Sequence, residues 1–201
     1  MWKAYIKPVA LLGCLALAAC ASGPGKQGGE NTAHVQVDPQ AQVQFNQALQ
    51  ALKSGRDDDA LGMLTEITRK YPSLAGPFTN LGLVYIKKGK FTEAKQALLQ
   101  ATTIKPGDAV AYNHLGVAYR ELGEFKQAQQ AYEEALKLKP DYADAHLNIG
   151  ILYDVYLNDL NQALLQYQQY QSLSNSPDPK VEKWIVDLKR RVSKNQAKAS
   201  P

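Results

Sequence analysis

Cysteine is almost missing from this 201-residue chain: Cys14 and Cys20 are the two it has. None follows residue 20, so the body of the chain carries no internal disulfide and must hold by packing alone. Histidine is nearly as scarce, with His34, His114 and His146. No two of these stand at metal-ligand spacing and no Cys/His cluster exists, which argues against a zinc site. The glycines at Gly23, Gly25, Gly28 and Gly29 do not open a helix after a strand, so they form no phosphate loop. Asp57-Asp58-Asp59 is too compact a triplet for the spaced oxygen ligands of calcium. At the start of a helix the same carboxylates favour its positive end. No catalytic constellation remains, and the sequence reads as a non-enzyme with no metal and no cofactor. Charge is nearly balanced, 23 Lys and Arg against 19 Asp and Glu. Without a basic aromatic platform, nucleic acid is excluded as a partner. Long apolar runs are absent too. The longest, Val9 to Ala19, is broken by Gly13 and too short to span a bilayer as a helix.

What the chain has is period. Pro72, Pro106 and Pro140 fall 34 residues apart. Each closes the same pattern of small and apolar residues, which signals stacked helix-turn-helix units. In residues 109–142, Tyr112, Leu115, Gly116 and Tyr119 share one face of a first helix. Gly123 and Glu124 break it. Phe125, Ala128, Tyr132, Ala135 and Leu138 share one face of a second, and Pro140 ends it, since proline is hostile to a helix interior. Gly116 and Ala128 are small enough for the two helices to approach closely.

Tyr112, Leu115-Gly116, Tyr119, Ala128, Tyr132, Ala135 and Pro140 closely resemble the tetratricopeptide repeat pattern. Residues 75–108 match it with Phe78, Leu81-Gly82, Tyr85, Gly89, Phe91, Ala94, Ala101 and Pro106, while Leu98 replaces an aromatic. Residues 143–176 match with His146, Ile149-Gly150, Tyr153, Ala163 and Tyr167. That unit carries one extra residue around Asn158-Asp159, and Tyr170 where alanine is expected. Residues 41–74 are degenerate: Ala48, Gly55, Ala60 and Pro72 fit, but Gln44 and Gln47 do not. With Gln42 and Gln50 they suit the polar outer face of a terminal repeat. The resemblance implies an all-α fold, a right-handed superhelix (alpha solenoid) of four antiparallel helix pairs. After Pro177-Asp178-Pro179, Val181, Trp184, Ile185, Leu188 and Val192 recur at amphipathic helical spacing. A capping helix within residues 177–195 follows, with Trp184 as its anchor, and then a flexible tail at 196–201. Its other face and the tail hold Lys183, Lys189, Arg190, Arg191, Lys194 and Lys198. They form either a solvated surface or a contact for anionic lipid or cell-wall polymer.

In such stacks the first helices line the concave side. In this register the groove residues are Asn80, Leu83, Asn113, His114, Val117, Arg120, Asn148 and Ile151, an aliphatic stripe beside a ladder of amides. Amides donate to and accept from a peptide backbone while aliphatic side chains grip its substituents. The alternative for Asn80 and Asn148 is a structural role, tying adjacent turns. One subgroup of the family grips a terminal carboxylate with basic residues and asparagines. Here Thr79 with Leu83, and Asn113 with Val117, depart from that clamp. His146 occupies an aromatic packing position and reads as a packing residue.

Lys3 and Lys7, the apolar run and Leu17-Ala18-Ala19-Cys20 together resemble the signal and lipobox of bacterial lipoproteins. The resemblance implies that residues 1–19 are removed and Cys20 is lipidated. Residues 20–40 are then the lipidated cysteine and a flexible spacer poor in apolar residues. Ala21, in place of a retention aspartate, implies the outer membrane and its periplasmic face. Repeat lipoproteins of this kind resemble two groups, pilus-assembly pilot lipoproteins and short lipoproteins associated with TonB-like systems. The implied function is a membrane-anchored scaffold for an envelope-spanning complex, binding an envelope protein or peptide segment in the groove. Two alternatives stand beside it, a pilot for a pilus secretin and a cell-wall-associated structural or enzyme-recruiting protein. Self-association through exposed Tyr or Leu is a further expectation.

Overall fold

The computed structural model describes residues 38–174 and 178–199. The expected signal, Cys20 and most of the spacer lie outside the described residues. Among the described residues nine α-helices follow in order: α1 (Pro39–Lys53), α2 (Asp57–Lys70), α3 (Ala75–Lys87), α4 (Phe91–Ile104), α5 (Ala109–Glu121), α6 (Phe125–Leu138), α7 (Ala143–Ile151), α8 (Leu160–Leu173) and α9 (Pro179–Ala199). They pack as antiparallel pairs, α1 with α2, α3 with α4, α5 with α6 and α7 with α8. The all-α repeat superhelix with a C-terminal capping helix is the observed fold.

Local chemistry sets the punctuation. Asp38, Asp108 and Asp159 cap α1, α5 and α8, each side chain accepting from a backbone N–H in the first turn. Such caps satisfy donors that would otherwise be orphaned and contribute about 1 kcal/mol each. The turn between paired helices needs one left-handed residue. Gly123 supplies it after α5 at φ +77°, and Asn158 supplies it before α8 at φ 54°. Asparagine is among the few residues with a side chain that tolerate this region. Pro72, Pro106 and Pro140 each stand just past the C-cap of α2, α4 and α6.

Each of the last three pairs is built on a glycine facing a large side chain. A Cβ at Gly82 would meet Leu98 at 2.4 Å, one at Gly116 would meet Tyr132 at 2.5 Å, and one at Gly150 would meet Tyr167 at 2.6 Å. The first helix of each such pair therefore leaves out a side chain and the second fills the space. Ala128, Tyr132 and Ala135 are fully buried and Leu115 nearly so, while Tyr112 and Tyr119 are half-buried against the same core. Pro140 is exposed. His146 is half-buried, its ring bonded to Gln166 Oε1 at 2.7 Å and to the Pro140 carbonyl at 2.9 Å. In the first repeat Gln42, Gln47 and Gln50 are exposed and Gln44 is half-buried.

Two features depart from the expected geometry. The extra residue of the fourth unit is absorbed before the turn, where Leu152–Leu157 winds as a π-helix continuing α7. An inserted residue in a helix is commonly held as such a wider turn. This winding leaves Val155, Tyr156 and Leu157 exposed, with the Tyr156 ring 4.8 Å from Phe125. The capping helix is also longer than expected, running from Pro179 to Ala199. It packs on α8 through buried Val181 and Leu188 and half-buried Trp184 and Ile185, with Trp184 against Tyr167 at 5.4 Å. Arg191 bonds Asp154 Oδ1 at 2.8 Å and so ties α9 to the π-turn as well.

Candidate partner-binding groove

The first helices stand side by side, α3 against α5 and α5 against α7. The eight residues read from the sequence as groove-facing lie on these three helices, at two depths. Asn80, Leu83, His114 and Ile151 are half-buried and reach the surface. Asn113, Val117, Arg120 and Asn148 are buried, between 2% and 8% exposed. Of the eight residues read as groove-facing, four are thus buried within the stack and four reach its surface.

The buried amides form a relay. Asn148 Nδ2 donates to Asn113 Oδ1 at 3.0 Å, and Asn113 Nδ2 reaches the Tyr142 hydroxyl at 3.5 Å. This joins α7 to α5, the structural role weighed for Asn148. Burial pushes the Tyr142 phenol up to about 12, so it stays protonated. One repeat earlier, Thr79 Oγ1 donates to Asp108 Oδ2 at 3.2 Å. In both repeats the fifth residue is tied to the last, an interaction that sequence spacing alone does not display. Asn80 Nδ2 is bonded to the Gly76 carbonyl of its own helix at 2.9 Å. Its Oδ1 is left to accept.

Arg120 is turned inward. Its Nε and Nη2 donate to Glu121 Oε1 at 3.3 and 3.0 Å, while Nη1 and the nearby Tyr132 hydroxyl have no protein partner among the described residues. Burial pushes the Tyr132 phenol up, with the Arg120 charge opposing. His114 is held neutral at physiological pH, since dehydration lowers its pKa to about 4 against the weaker pull of Asp108. The open wall is therefore aliphatic, amide and uncharged. Beyond the sequence reading, an apolar hollow of about 280 Å³ lies where α1, α3 and α4 converge, lined by Ala41, Phe45, Leu74, Ala75, Pro77 and Ile104. No sequence pattern marked it, since its walls come from three separate elements. Among the described residues no three His, Cys, Asp or Glu side chains group to hold a metal ion, and no helix is long and apolar enough to cross a membrane.

Paired helices of this length, stacked on a glycine-for-side-chain exchange and closed by a capping helix, define a helical-repeat binding module. Family profiles described as "TPR repeat" match residues 82–123 and 118–155, and one described as "Tetratricopeptide repeat" matches residues 42–73. Together they span just over half of the chain, and the chain belongs to the tetratricopeptide repeat family. Repeats of this family characteristically form non-catalytic scaffolds, and the chain is a protein-interaction module of that kind. Among solved structures it is similar to MamA from Desulfovibrio magneticus RS-1, with 19% identity over 81% of this chain and 90% of that one, at a TM-score of 0.67. It is similar to a thermophilic TPR protein of Thermus thermophilus, with 21% identity over 76% and 82%, at 0.63. It is also similar to the first TPR of Spaghetti (RPAP3) bound to the HSP90 peptide SRMEEVD, with 24% identity over 61% and 98%, at 0.57. These likenesses establish the fold. No curated protein sequence matches the chain at a significant level.

Proposed function

We propose that this chain is a lipid-anchored scaffold of the outer membrane, facing the periplasm, whose groove holds an uncharged segment of an envelope protein. The carrying observation is the open wall of Asn80, Leu83, His114 and Ile151, seated on the buried amide relay. Aliphatic surface there gains about 25 cal/mol per Å² on burial, and a fixed base limits the ordering cost of binding. The relative bound to SRMEEVD holds a peptide with an acidic end. Here Thr79 is committed to Asp108, Arg120 to Glu121, and His114 is neutral. A neutral or apolar segment, extended or helical, suits this wall better than an acidic one. The anchor reading rests on Leu17-Ala18-Ala19-Cys20 and Ala21. Four repeats favour the short lipoproteins of TonB-like or other trans-envelope machinery over pilus pilots, which generally carry more.

The test is crosslinking in intact cells from photoreactive residues at Asn80, Leu83 and Ile151, with mass identification of the adduct. An envelope-machine component trapped at all three sites supports the reading. Adducts absent from the groove probes but abundant from Val155 or Leu165 would defeat it. Fatty-acid labelling that persists in Cys20→Ala would separately defeat the anchor.

A further inference from the structure

The charge of the molecule is divided unevenly. Helix α9 carries seven Lys or Arg and two acidic residues, while residues 38–178 carry 13 Lys or Arg and 16 Asp or Glu. The capping helix is thus strongly cationic on a repeat domain that is net acidic. Its apolar side is consumed: Val181, Trp184, Ile185 and Leu188 face α8. The opposite side is uncovered. Lys183, Val186, Arg190 and Lys194 follow one another at i, i+3, i+7 and i+11, and all four are exposed. That spacing keeps them on one line about 16 Å long. Arg190 is paired with Asp187, and Arg191 with Asp154 and Asp187. Lys183 and Lys194 have no acidic partner within ion-pair distance among the described residues. Val186, between them, is 64% exposed.

We propose that this outer line of α9 is a docking strip for anionic phospholipid headgroups, laying the anchored domain on its own membrane. The inference rests on the lipid-anchor reading above. A convex line of cations with one apolar side chain matches a planar array of negative headgroups, which demands no specific pattern of donors. An acidic protein partner would gain more from a concave, hydrogen-bonding surface. The stretch from Cys20 to Asp38 reaches at most about 60 Å, so an anchored domain is never far from the bilayer. At that effective concentration, weak electrostatic contacts suffice. The division of charge orients the domain, with α9 drawn to the surface and the acidic repeats repelled.

The test uses the mature chain, residues 20–201, with Cys20→Ser so that no lipid is attached. Co-sedimentation is measured with phosphatidylcholine vesicles, with and without about one third phosphatidylglycerol. Binding to the anionic vesicles alone, weakening as salt rises, is expected. Each headgroup-facing cation contributes about fivefold. Lys183→Ala with Lys194→Ala should therefore weaken binding on the order of 25-fold, while Lys105→Ala with Lys126→Ala leaves it within about twofold. All four residues lie at the surface, and circular dichroism checks that each variant is folded. Equal binding to neutral vesicles, equal loss in the two double variants, or no binding to anionic vesicles at low salt would each overturn the proposal. Lipidation plays no part in this assay, so its outcome is independent of the Cys20 labelling result.

Discussion

A single methyl group at Gly116 should be enough to force the central helix pair apart. Its carbon would lie 2.5 Å from Tyr132 Cε1, 2.6 Å from Cδ1 and 2.9 Å from Cζ. These are atoms of a rigid ring that is fully buried. The ring cannot swing to solvent, so α5 and α6 must shift or the ring must leave its rotamer. Overpacking of this kind costs about 1–3 kcal/mol. Alanine also removes the penalty of glycine in a helix, a gain of about 1 kcal/mol. Gly116→Ala should therefore destabilise by up to about 2 kcal/mol, and Gly116→Leu by more. In a domain of this size each kcal/mol moves the midpoint by about 2–4 °C. The control is internal. Gly62 lies mid-helix in α2, and a Cβ there would meet nothing within 4 Å. Gly62→Ala should raise the midpoint by about 2–3 °C, from the same helix gain without the clash. Thermal melts followed at the helical circular dichroism band compare the two. If Gly116→Ala proved as stable as Gly62→Ala, the glycine-for-ring exchange would not be what spaces the helices.

Other outcomes follow from the same contacts. Asn148→Ala strands Asn113 Oδ1 in a buried site and should cost about 1–3 kcal/mol in chemical denaturation, whereas Asn80→Ala, at a half-buried site bonded within its own helix, should cost less than about 1 kcal/mol. Gly123→Ala places a Cβ at φ +77° and should destabilise by about 1 kcal/mol, while Asn158→Gly should be neutral or slightly stabilising in the same melts. His114 sits at about 4 in the fold against 6.5 unfolded, so the unfolded chain binds more protons between those values and stability rises with pH. The contribution is complete above about pH 6.5 and is lost as pH falls towards 4, on the order of 1–2 kcal/mol once partial exposure is allowed for; urea titrations of His114→Gln should show a flatter pH dependence across that window.

Much of this architecture is legible in the sequence, for a definite reason. The repeat leaves its marks at residues that have no substitute: proline past a helix end, glycine opposite a ring, a left-handed residue in the turn. Pro106, Gly116 and Gly123 announce their structural roles by type alone. The groove was legible only in outline. Helical phase places Asn113, Arg120 and Asn148 on the first-helix face, but that face is shared between solvent and the neighbouring first helix. Which side chains stay open depends on how closely α5 approaches α7, a distance no periodicity encodes. The fourth repeat shows the same limit. Counting finds one residue too many before Asp159, and only the backbone shows that Leu152–Leu157 takes it up as a wider turn rather than as a longer loop.

That wider turn, with the helix pinned to it, bears on assembly. Repeat stacks end in faces that resemble their own interior, so one copy can continue another head to tail, and such heterologous contact grows into an open fibre. The fourth unit here is out of step with the two before it. Its exit is sealed by a helix whose apolar side is already spent on α8 and whose remaining side is cationic. A second copy arriving head to tail at this end meets α9 in place of a repeat face, and behind it a unit whose register is shifted by the π-turn. The C-terminal end of the stack thereby offers a further copy the outer side of α9 and not an open repeat face.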